Sequence, residues 1–336
     1  MAETGIGFWI AFLAFTAALL AFDLGVLHRR DHVIRLREAL LLSTFYIALA
    51  LLFAALVFYW RGSEAGIQFL TGYLIEKSLS IDNIFVIVLT FTYFAVPPQY
   101  QHRVLFYGII GAVVMRGILI VLGVQLIHSF AWIAVVFGAF LIFTGIKMLV
   151  MANAKADVEN NVVVRILRKR LRITQEYVGH DFFARRDGLL YVTPLFVVLV
   201  LIEFTDIIFA VDSIPAILAI SQDPFIIFTA NVFAILGLRA LYFALADIVP
   251  RFVYLKYGLS LILVFIGGKM IANYFYGGKF IPTHWALLAT AILIAGSIVL
   301  SLLRTRAPGT VPPLPTGWIP GSRRADADEA RKQAKS

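Results

Sequence analysis

Residues 72–85 read GYLIEKSLSIDNIF and residues 201–215 read LIEFTDIIFAVDSIP, and each stretch lies inside a long apolar run. An ionised side chain at membrane depth costs about 3 kcal/mol or more on insertion scales, so it seldom persists there without a function. The two stretches also look like copies, because each has an acidic residue followed by an aspartate at the same spacing. The matching pairs are Glu76 with Asp82 and Asp206 with Asp212. A duplicated acidic pair within a membrane points first to a pathway for cations.

The composition of the chain predicts a membrane protein. Of its 336 residues, 61% are hydrophobic and 15% are charged, whereas soluble domains average about 45–50% and about 25%. The formal net charge is +9, but the basic residues cluster between the apolar runs, as they do in cytoplasmic loops. Since no basic recognition motif accompanies them, we expect no nucleic-acid partner. The chain has no cysteine, which excludes disulfides and thiolate metal sites.

Hydropathy predicts an all-α polytopic protein whose spans need about 20 apolar residues each. Nine spans are predicted at roughly 8–27, 39–60, 68–94, 104–127, 130–152, 189–221, 225–246, 252–272 and 285–303. Basic residues concentrate at 28–37, at 155–186 and beyond 304. With nine spans these three segments share one side, so the N-terminus is predicted outside and the C-terminus in the cytoplasm. For the linker the sequence allows two interpretations, a short amphipathic helix on the anionic inner leaflet or a solvated basic loop.

The similarity of the two acidic stretches continues downstream in the same order. An arginine follows each stretch, at Arg116 and Arg239, and then GIKM at 145–148 matches GGKM at 267–270. Two copies of three spans each are therefore predicted. Because three is odd, the second copy enters the membrane inverted, which is an architecture of many secondary transporters. The predicted units are 1–67 with two spans and a basic cytoplasmic loop, repeat 1 at 68–152, the basic linker at 153–188, repeat 2 at 189–272, a ninth span within 273–303, and a disordered cytoplasmic tail at 304–336.

Neither acidic stretch can chelate one ion as a straight helix. Residues six apart differ by about 120° around the axis and about 9 Å along it. One solution is a break in the helix. Pro215 donates no hydrogen bond and frees the carbonyl of Val211, beside Asp212, so this carbonyl is a candidate ligand.

The other solution places the ligands across the interface of the two repeats. Asp82 then faces Asp212 over a pseudo-twofold axis, Glu76 and Asp206 form a second, displaced pair, and Glu203 shares the face of Asp206. All candidate ligands are oxygen atoms, which favours Mn²⁺, Mg²⁺ or Ca²⁺ over Zn²⁺ or copper. The predicted metal ligands are Asp82, Asp212, Glu76, Asp206, Glu203, Asn83 and Ser213.

Two arginines and two lysines hold matching positions in the repeats. Arg116 and Arg239 are predicted to balance charge or gate the pathway, or to form buried ion pairs that hold the bundle together. Five carboxylates against these two arginines leave a formal charge of −3. Lys147 and Lys269 are predicted to balance charge or gate as well. They lie near opposite ends of their spans, as inversion predicts and as snorkelling to an interface would also explain. Asp23, near the inner end of the first span, is an accessory candidate.

Both acidic motifs resemble the signatures of the TerC/Alx family of bacterial membrane proteins, and AFDLGVLHR at 21–29 resembles its first-span motif. The resemblance covers about residues 8–305 and rests on specific motifs. It implies a bacterial inner-membrane protein of the lysine-exporter superfamily with a three-plus-three inverted repeat. It also implies Mn²⁺ export or a related role in metal homeostasis.

We therefore expect a transporter, not an enzyme, that exports Mn²⁺ and carries no prosthetic group, with Ca²⁺ or Mg²⁺ as alternative cargo. The surplus of carboxylates makes H⁺ counter-transport a hypothesis. One alternative is an exporter of amino acids or small organic cations. Another is a non-transporting scaffold or assembly factor whose carboxylates pair with the arginines. An intramembrane aspartyl protease is disfavoured, because neither aspartate stands in the sequence context such a dyad requires.

Overall fold

The computed structural model describes residues 5–25, 36–150, 162–186, 188–246, 252, 254–276 and 281–304. Within them the chain forms ten α-helices and one two-stranded sheet. The elements are α1 (Ile6–Gly25), α2 (Leu36–Tyr93), α3 (Pro98–Ser129), α4 (Ile133–Val150), α5 (Val162–Arg170), β1 (Phe183–Arg186), β2 (Leu189–Val192), α6 (Pro194–Leu218), α7 (Pro224–Leu236), α8 (Leu238–Leu245), α9 (Leu255–Phe275) and α10 (Thr283–Arg304).

The all-α polytopic architecture is confirmed for the described residues. Seven helical segments there are long and apolar enough to cross a membrane, counting α7 and α8 together, and α1 contributes a shorter apolar helix. With 58 residues, α2 is far longer than one crossing requires. Gly62 interrupts it with φ 86° and ψ 175°, a conformation that glycine adopts without steric cost. The predicted second and third spans lie on either side of Gly62, and the count of nine stays a prediction.

The linker region differs from the predicted boundaries. The sixth span was expected from residue 189, but residues 189–192 form strand β2, paired antiparallel with β1. The helix begins only at Pro194, a residue favoured at the first helical position because its φ is already helical and no donor is lost. A short apolar run does not distinguish a strand from a helix, which explains the error. The amphipathic helix considered for the linker is present as α5.

Several predicted segments fall outside the described residues. They include most of the basic loop at 28–37, the linker at 151–161 and the tail beyond Arg304. The predicted orientation, which depends on these loops, stays a prediction.

The helices pack in three main groups of contacts. Helix α4 packs along α9, α3 packs on α6, and α2 packs on α7 and α8. The first of these contacts is especially close. A Cβ added to Gly138 would lie 2.8 Å from the carbonyl oxygen of Gly267, and one added to Gly145 would lie 2.8 Å from that of Ser260. Small residues of this kind let membrane helices approach through their backbones.

Apolar side chains cover both the interior and much of the outer surface. One buried cluster joins α1, α2, α3, α6 and α7. Large side chains such as Leu41, Leu52 and Ile292 remain more than half exposed on the outer faces of α2 and α10. Exposed apolar faces of this extent are expected where lipid covers a bundle.

The linker packs onto one end of the bundle, which we call the linker end. Val164 of α5 is buried in an apolar cluster that also contains side chains of α2, α3 and α6, and α5 packs on α6. The hydroxyl of Tyr177 donates to the carbonyl of Phe94 at 2.7 Å, and the hydroxyl of Thr193 donates to the carbonyl of Asp181 at 2.7 Å. The first hydrogen bond ties the linker to the turn between α2 and α3, and the second ties it to the start of α6.

Candidate functional site

Arg116, on α3, is the centre of a buried ionic cluster. Its Nε donates to Asp206 Oδ2 at 3.1 Å and its Nη2 to Asp206 Oδ1 at 2.9 Å, a bidentate arrangement. The guanidinium also forms an ion pair with Glu76, and Nη1 donates to Asn231 Oδ1 at 3.2 Å. The Arg116 and Glu76 side chains are 2% and 0% exposed. One cation therefore joins carboxylates from α2 and α6 away from bulk water.

Asn83 links the cluster back to α2. Its Nδ2 donates to Asp206 Oδ1 at 3.0 Å, so both oxygens of this carboxylate accept hydrogen bonds. Its own carbonyl oxygen, Oδ1, is buried and accepts none from the described residues. A buried acceptor without a donor costs about 1–3 kcal/mol. This oxygen is therefore available to a water molecule or a cation.

Glu203 lies beside this cluster, against a glycine face of α3. Its carboxylate occupies the position that a side chain at Gly111 would take, so only glycine leaves room for it there. A cavity of about 30 Å³ lies next to it, large enough for one or two water molecules. The polar side chains that line this cavity are Asn83, Glu203, Thr205, Asp206 and Arg239.

Arg239 is 3% exposed and borders this cavity. Each of the two predicted arginines thus lies at the acidic residues, Arg116 in direct contact with Asp206 and Arg239 across a small cavity that Asp206 also lines. The predicted displaced pair, Glu76 with Asp206, is brought together through Arg116 rather than by direct contact.

Asp212 belongs to a different environment. Its Oδ1 accepts a hydrogen bond from Thr144 on α4 at 3.3 Å. Ser213 is buried, and its hydroxyl has no partner among the described residues. The expected break does not occur, since α6 stays helical through Pro215 to Leu218. The side chain of Val211 is half-exposed. A helix supported by neighbours tolerates one proline with only the loss of a hydrogen bond.

The side chains of two predicted residues are not among those that the structure describes. Asp82 lies on α2 and Asp23 near the end of α1, but both side chains fall outside the described residues. The expected facing of Asp82 and Asp212 therefore stays a prediction. The two lysines differ in burial: Lys147 is exposed near the end of α4, whereas Lys269 is buried on α9.

Three polar residues of the site were missed from the sequence. Lys77 donates from Nζ to the carbonyl of Ala234 at 3.2 Å, and Asn231 and Thr144 hold Arg116 and Asp212. Lys77 follows Glu76 directly, and Asn231 stands alone in the apolar run of α7, so both carried a visible signal. Thr144 did not, because a threonine can satisfy its hydroxyl within its own helix.

The described side chains do not form a ready-made metal cage. Within the described residues, from which the Asp82 side chain is missing, no group of three or more His, Asp or Glu side chains is close enough to hold an ion. Arg116 takes the place between Glu76 and Asp206 that a cation would need. The arrangement can hold positive charge between two helices, and the guanidinium supplies that charge in this conformation.

The comparison with known families decides the relationship. A sequence profile described as Integral membrane protein TerC family matches residues 61–308. The chain belongs to the TerC family. This match confirms the resemblance seen in the two acidic motifs and the prediction of a multi-pass membrane protein.

Curated relatives cover most of the chain. An uncharacterized membrane protein of Myxococcus xanthus, STKORF319, is 48% identical over 300 residues, which span 89% of this chain and 93% of the relative. Alx of Escherichia coli K12, whose name proposes a membrane-bound redox modulator, is 48% identical over 305 residues, 88% of this chain and 92% of the relative. An uncharacterized membrane protein of Rickettsia felis is 46% identical over 296 residues, 88% and 97% of the two chains. No solved structure matches the chain.

Proposed function

We propose that this TerC-family chain is a membrane transporter that exports divalent metal cations, Mn²⁺ first, from the cytoplasm. The observation that carries the proposal is the pair of carboxylates, Glu76 and Asp206, which two different helices hold at one buried cation. Charged groups inside a membrane typically mark ion pathways. Oxygen ligands suit hard cations such as Mn²⁺, Mg²⁺ or Ca²⁺.

An inverted repeat is the architecture we propose around this pathway. Aligning GIKM with GGKM pairs Gly145 with Gly267, and in the same register Gly138 with Ser260. The two close contacts between α4 and α9, Gly138 on Gly267 and Gly145 on Ser260, are then exchanged by the alignment. A twofold axis between these helices has that property. The same alignment exchanges the packing of α3 on α6 with the packing of α2 on α7 and α8, which supports the same axis.

Arg116 has a defined role in the proposed cycle as a tethered internal cation. It neutralises Glu76 and Asp206 while no cargo is bound. Cargo displaces the guanidinium and takes the two carboxylates, the free Asn83 oxygen and water from the adjacent cavity as ligands. Mn²⁺ and its hard relatives commonly keep water in their coordination shell. An arginine in the pathway thus competes with the cargo and does not have to block it.

The charge count agrees with a divalent cargo. The five carboxylates of the two acidic stretches and the two arginines have a formal charge of −3. Lys77, which lies in the first stretch, brings this total to −2. One divalent cation offsets this charge. Coupling to H⁺ remains part of the proposal, since protons can occupy the same carboxylates when cargo leaves.

Flux of Mn²⁺ into proteoliposomes tests the proposal. Asp206→Asn removes the charge but keeps the shape, and we expect Mn²⁺ flux to fall at least about tenfold, because the bidentate carboxylate is lost. Glu176→Gln, which changes an exposed carboxylate of the linker, is the matched control and retains the flux. Flux by Asp206→Asn equal to that of the unmodified chain contradicts the proposed pathway. Repeating the assay with and without a pH gradient tests H⁺ coupling, which is rejected if the gradient has no effect.

A scaffold or assembly factor is the second candidate function. The observation in its favour is that every oxygen of Asp206 already accepts a hydrogen bond, so the cluster can serve as a structural link between helices. Cellular Mn²⁺ in an exporter-deficient host separates the two. If Asp82→Ala or Asp206→Ala lowers cellular Mn²⁺ as well as the unmodified chain does, the scaffold is favoured.

The name of the relative Alx proposes redox modulation. This chain has no cysteine, so its own side chains cannot carry out thiol–disulfide exchange. We propose that any redox effect of this chain follows from the cellular level of its metal cargo.

A further inference from the structure

A large cavity lies at the end of the bundle opposite the linker, and we call it the vestibule. Its volume is about 840 Å³, and it is bordered by the segment around Gly62 and by the ends of α3, α6 and α9. The charge pattern of the loops predicts this end to be extracytoplasmic. Polar side chains that line it include Glu64, Gln68, His128, Asp223, Lys269 and Asn273.

Lys269 has an unusual position in the vestibule. Only 3% of this residue is exposed, yet it borders the cavity. Within the described residues nothing forms a hydrogen bond or an ion pair with its ammonium. Most of the side chain is removed from water, and no described carboxylate pairs with the ammonium. The small exposed part of Lys269 faces the vestibule and brings a positive charge to it.

The neighbouring carboxylates are engaged elsewhere. Asp223 forms an ion pair with Arg61 at 2.6 Å, and its other oxygen caps the start of α7 by accepting from the amides of Phe225 and Ile226. Glu64 accepts from Gln68 at 3.3 Å. Neither of these carboxylates forms an ion pair with Lys269.

We propose that the vestibule is a binding site for a small anion, a halide or a carboxylate group, held by the ammonium of Lys269. The volume lies in the range of small-molecule pockets, so a carboxylate on a small organic molecule fits as well as a simple ion. Amide and hydroxyl side chains such as Gln68, Asn273 and Thr283 line the same space and make its wall polar. The site exists independently of transport. Its consequence, that a bound anion shields a departing cation from Lys269, rests on the proposed function.

Anion-dependent thermal stability of the full chain in detergent tests the site. The protein is kept in HEPES buffer without divalent metal, and its midpoint of unfolding is measured while sodium chloride or sodium acetate replaces sodium HEPES at constant ionic strength. We expect the midpoint to rise by about 3 °C or more, since a ligand that binds only the folded state stabilises it. A rise with acetate alone assigns a carboxylate site, and a rise with both salts assigns a general small-anion site.

Three variants make the test specific. Lys269→Met removes the charge and is expected to abolish the anion-dependent rise, whereas Lys269→Arg retains it. Lys147→Met is the matched control, because Lys147 has the aligned position but is exposed at the other end of the bundle, and this variant keeps the rise. No rise in the unmodified chain, or an undiminished rise in Lys269→Met, overturns the proposal. Because this assay contains no divalent metal, its failure does not bear on the Mn²⁺ flux assay, which tests the proposed transport separately.

Discussion

Replacing Arg116 by methionine should both destabilise the protein and increase its response to Mn²⁺. The change removes the guanidinium that pairs with Glu76 and Asp206 and leaves two carboxylates facing each other. The methionine retains much of the apolar stem, so the main loss is electrostatic.

The magnitude follows from burial. Removing one partner of a buried ion pair costs about 3–5 kcal/mol, because the other charge stays buried and unbalanced. Here one guanidinium pairs with two carboxylates, and Glu76 is 0% exposed, so bulk water cannot take the place of the lost guanidinium. We expect the upper part of this range, which corresponds to a fall in the unfolding midpoint of about 10 °C or more.

Thermal unfolding in detergent, with and without Mn²⁺, is the assay. If Arg116 is a tethered competitor of the cargo, Mn²⁺ should stabilise Arg116→Met more than the unmodified chain. At a metal concentration about 100 times the dissociation constant, the gain is about 2.7 kcal/mol. Adding Glu76→Gln and Asp206→Asn to the variant should restore stability without metal and remove the added Mn²⁺ effect, since neither carboxylate that Arg116 pairs with is then left to bind the ion.

Arg61→Met is the matched control, because Arg61 pairs with Asp223 at the vestibule and does not line the proposed cation site. It should lose stability without any added response to Mn²⁺. Two outcomes refute the reasoning. A loss of less than about 1 kcal/mol in Arg116→Met means that the cluster is not held by electrostatics. An equal Mn²⁺ response in Arg116→Met and the unmodified chain means that Arg116 does not compete with cargo.

Further predictions concern three positions. Gly111→Ala should displace the carboxylate of Glu203 and lower Mn²⁺ flux while far-ultraviolet circular dichroism stays unchanged. Tyr177→Phe removes the hydrogen bond to the carbonyl of Phe94 and should cost about 1 kcal/mol in chemical unfolding. Burial raises the pKa of Tyr177, so the unmodified chain should lose stability as the pH rises above about 10, where the unfolded phenol ionises first, and Tyr177→Phe should lack this component. Gly62→Ala should cost about 1–2 kcal/mol in unfolding free energy, because φ is +86° there.

Local patterns predicted most of the helices and the acidic residues of the site. Apolar runs of span length and the repeated acidic motif are properties of neighbouring residues, and they are readable without a fold. The same local character explains the errors. The apolar residues 189–192 were assigned to a span although they form strand β2, and Pro215 was expected to break a helix that its neighbours support.

The contacts of the site were predicted less completely. Arg116 and Asp206 are 90 residues apart, and Thr144 and Asp212 are 68 apart. Whether two such side chains meet depends on how the helices rotate and slide against each other, and hydropathy does not contain this information. Lys77 is visible next to Glu76, but only helix packing brings its ammonium to the carbonyl of Ala234, 157 residues away.

Membrane helices, membership of the TerC family and a duplicated acidic motif are all readable from the order of the residues, because hydrophobic length and motif similarity are properties of neighbouring positions. Three features depend on the folded chain: Arg116 lies between Glu76 and Asp206, Asp212 accepts a hydrogen bond from Thr144, and Lys269 is buried at the vestibule. Ion pairs, cavities and burial arise where helices from distant segments pack together, and hydropathy along the chain does not specify that packing.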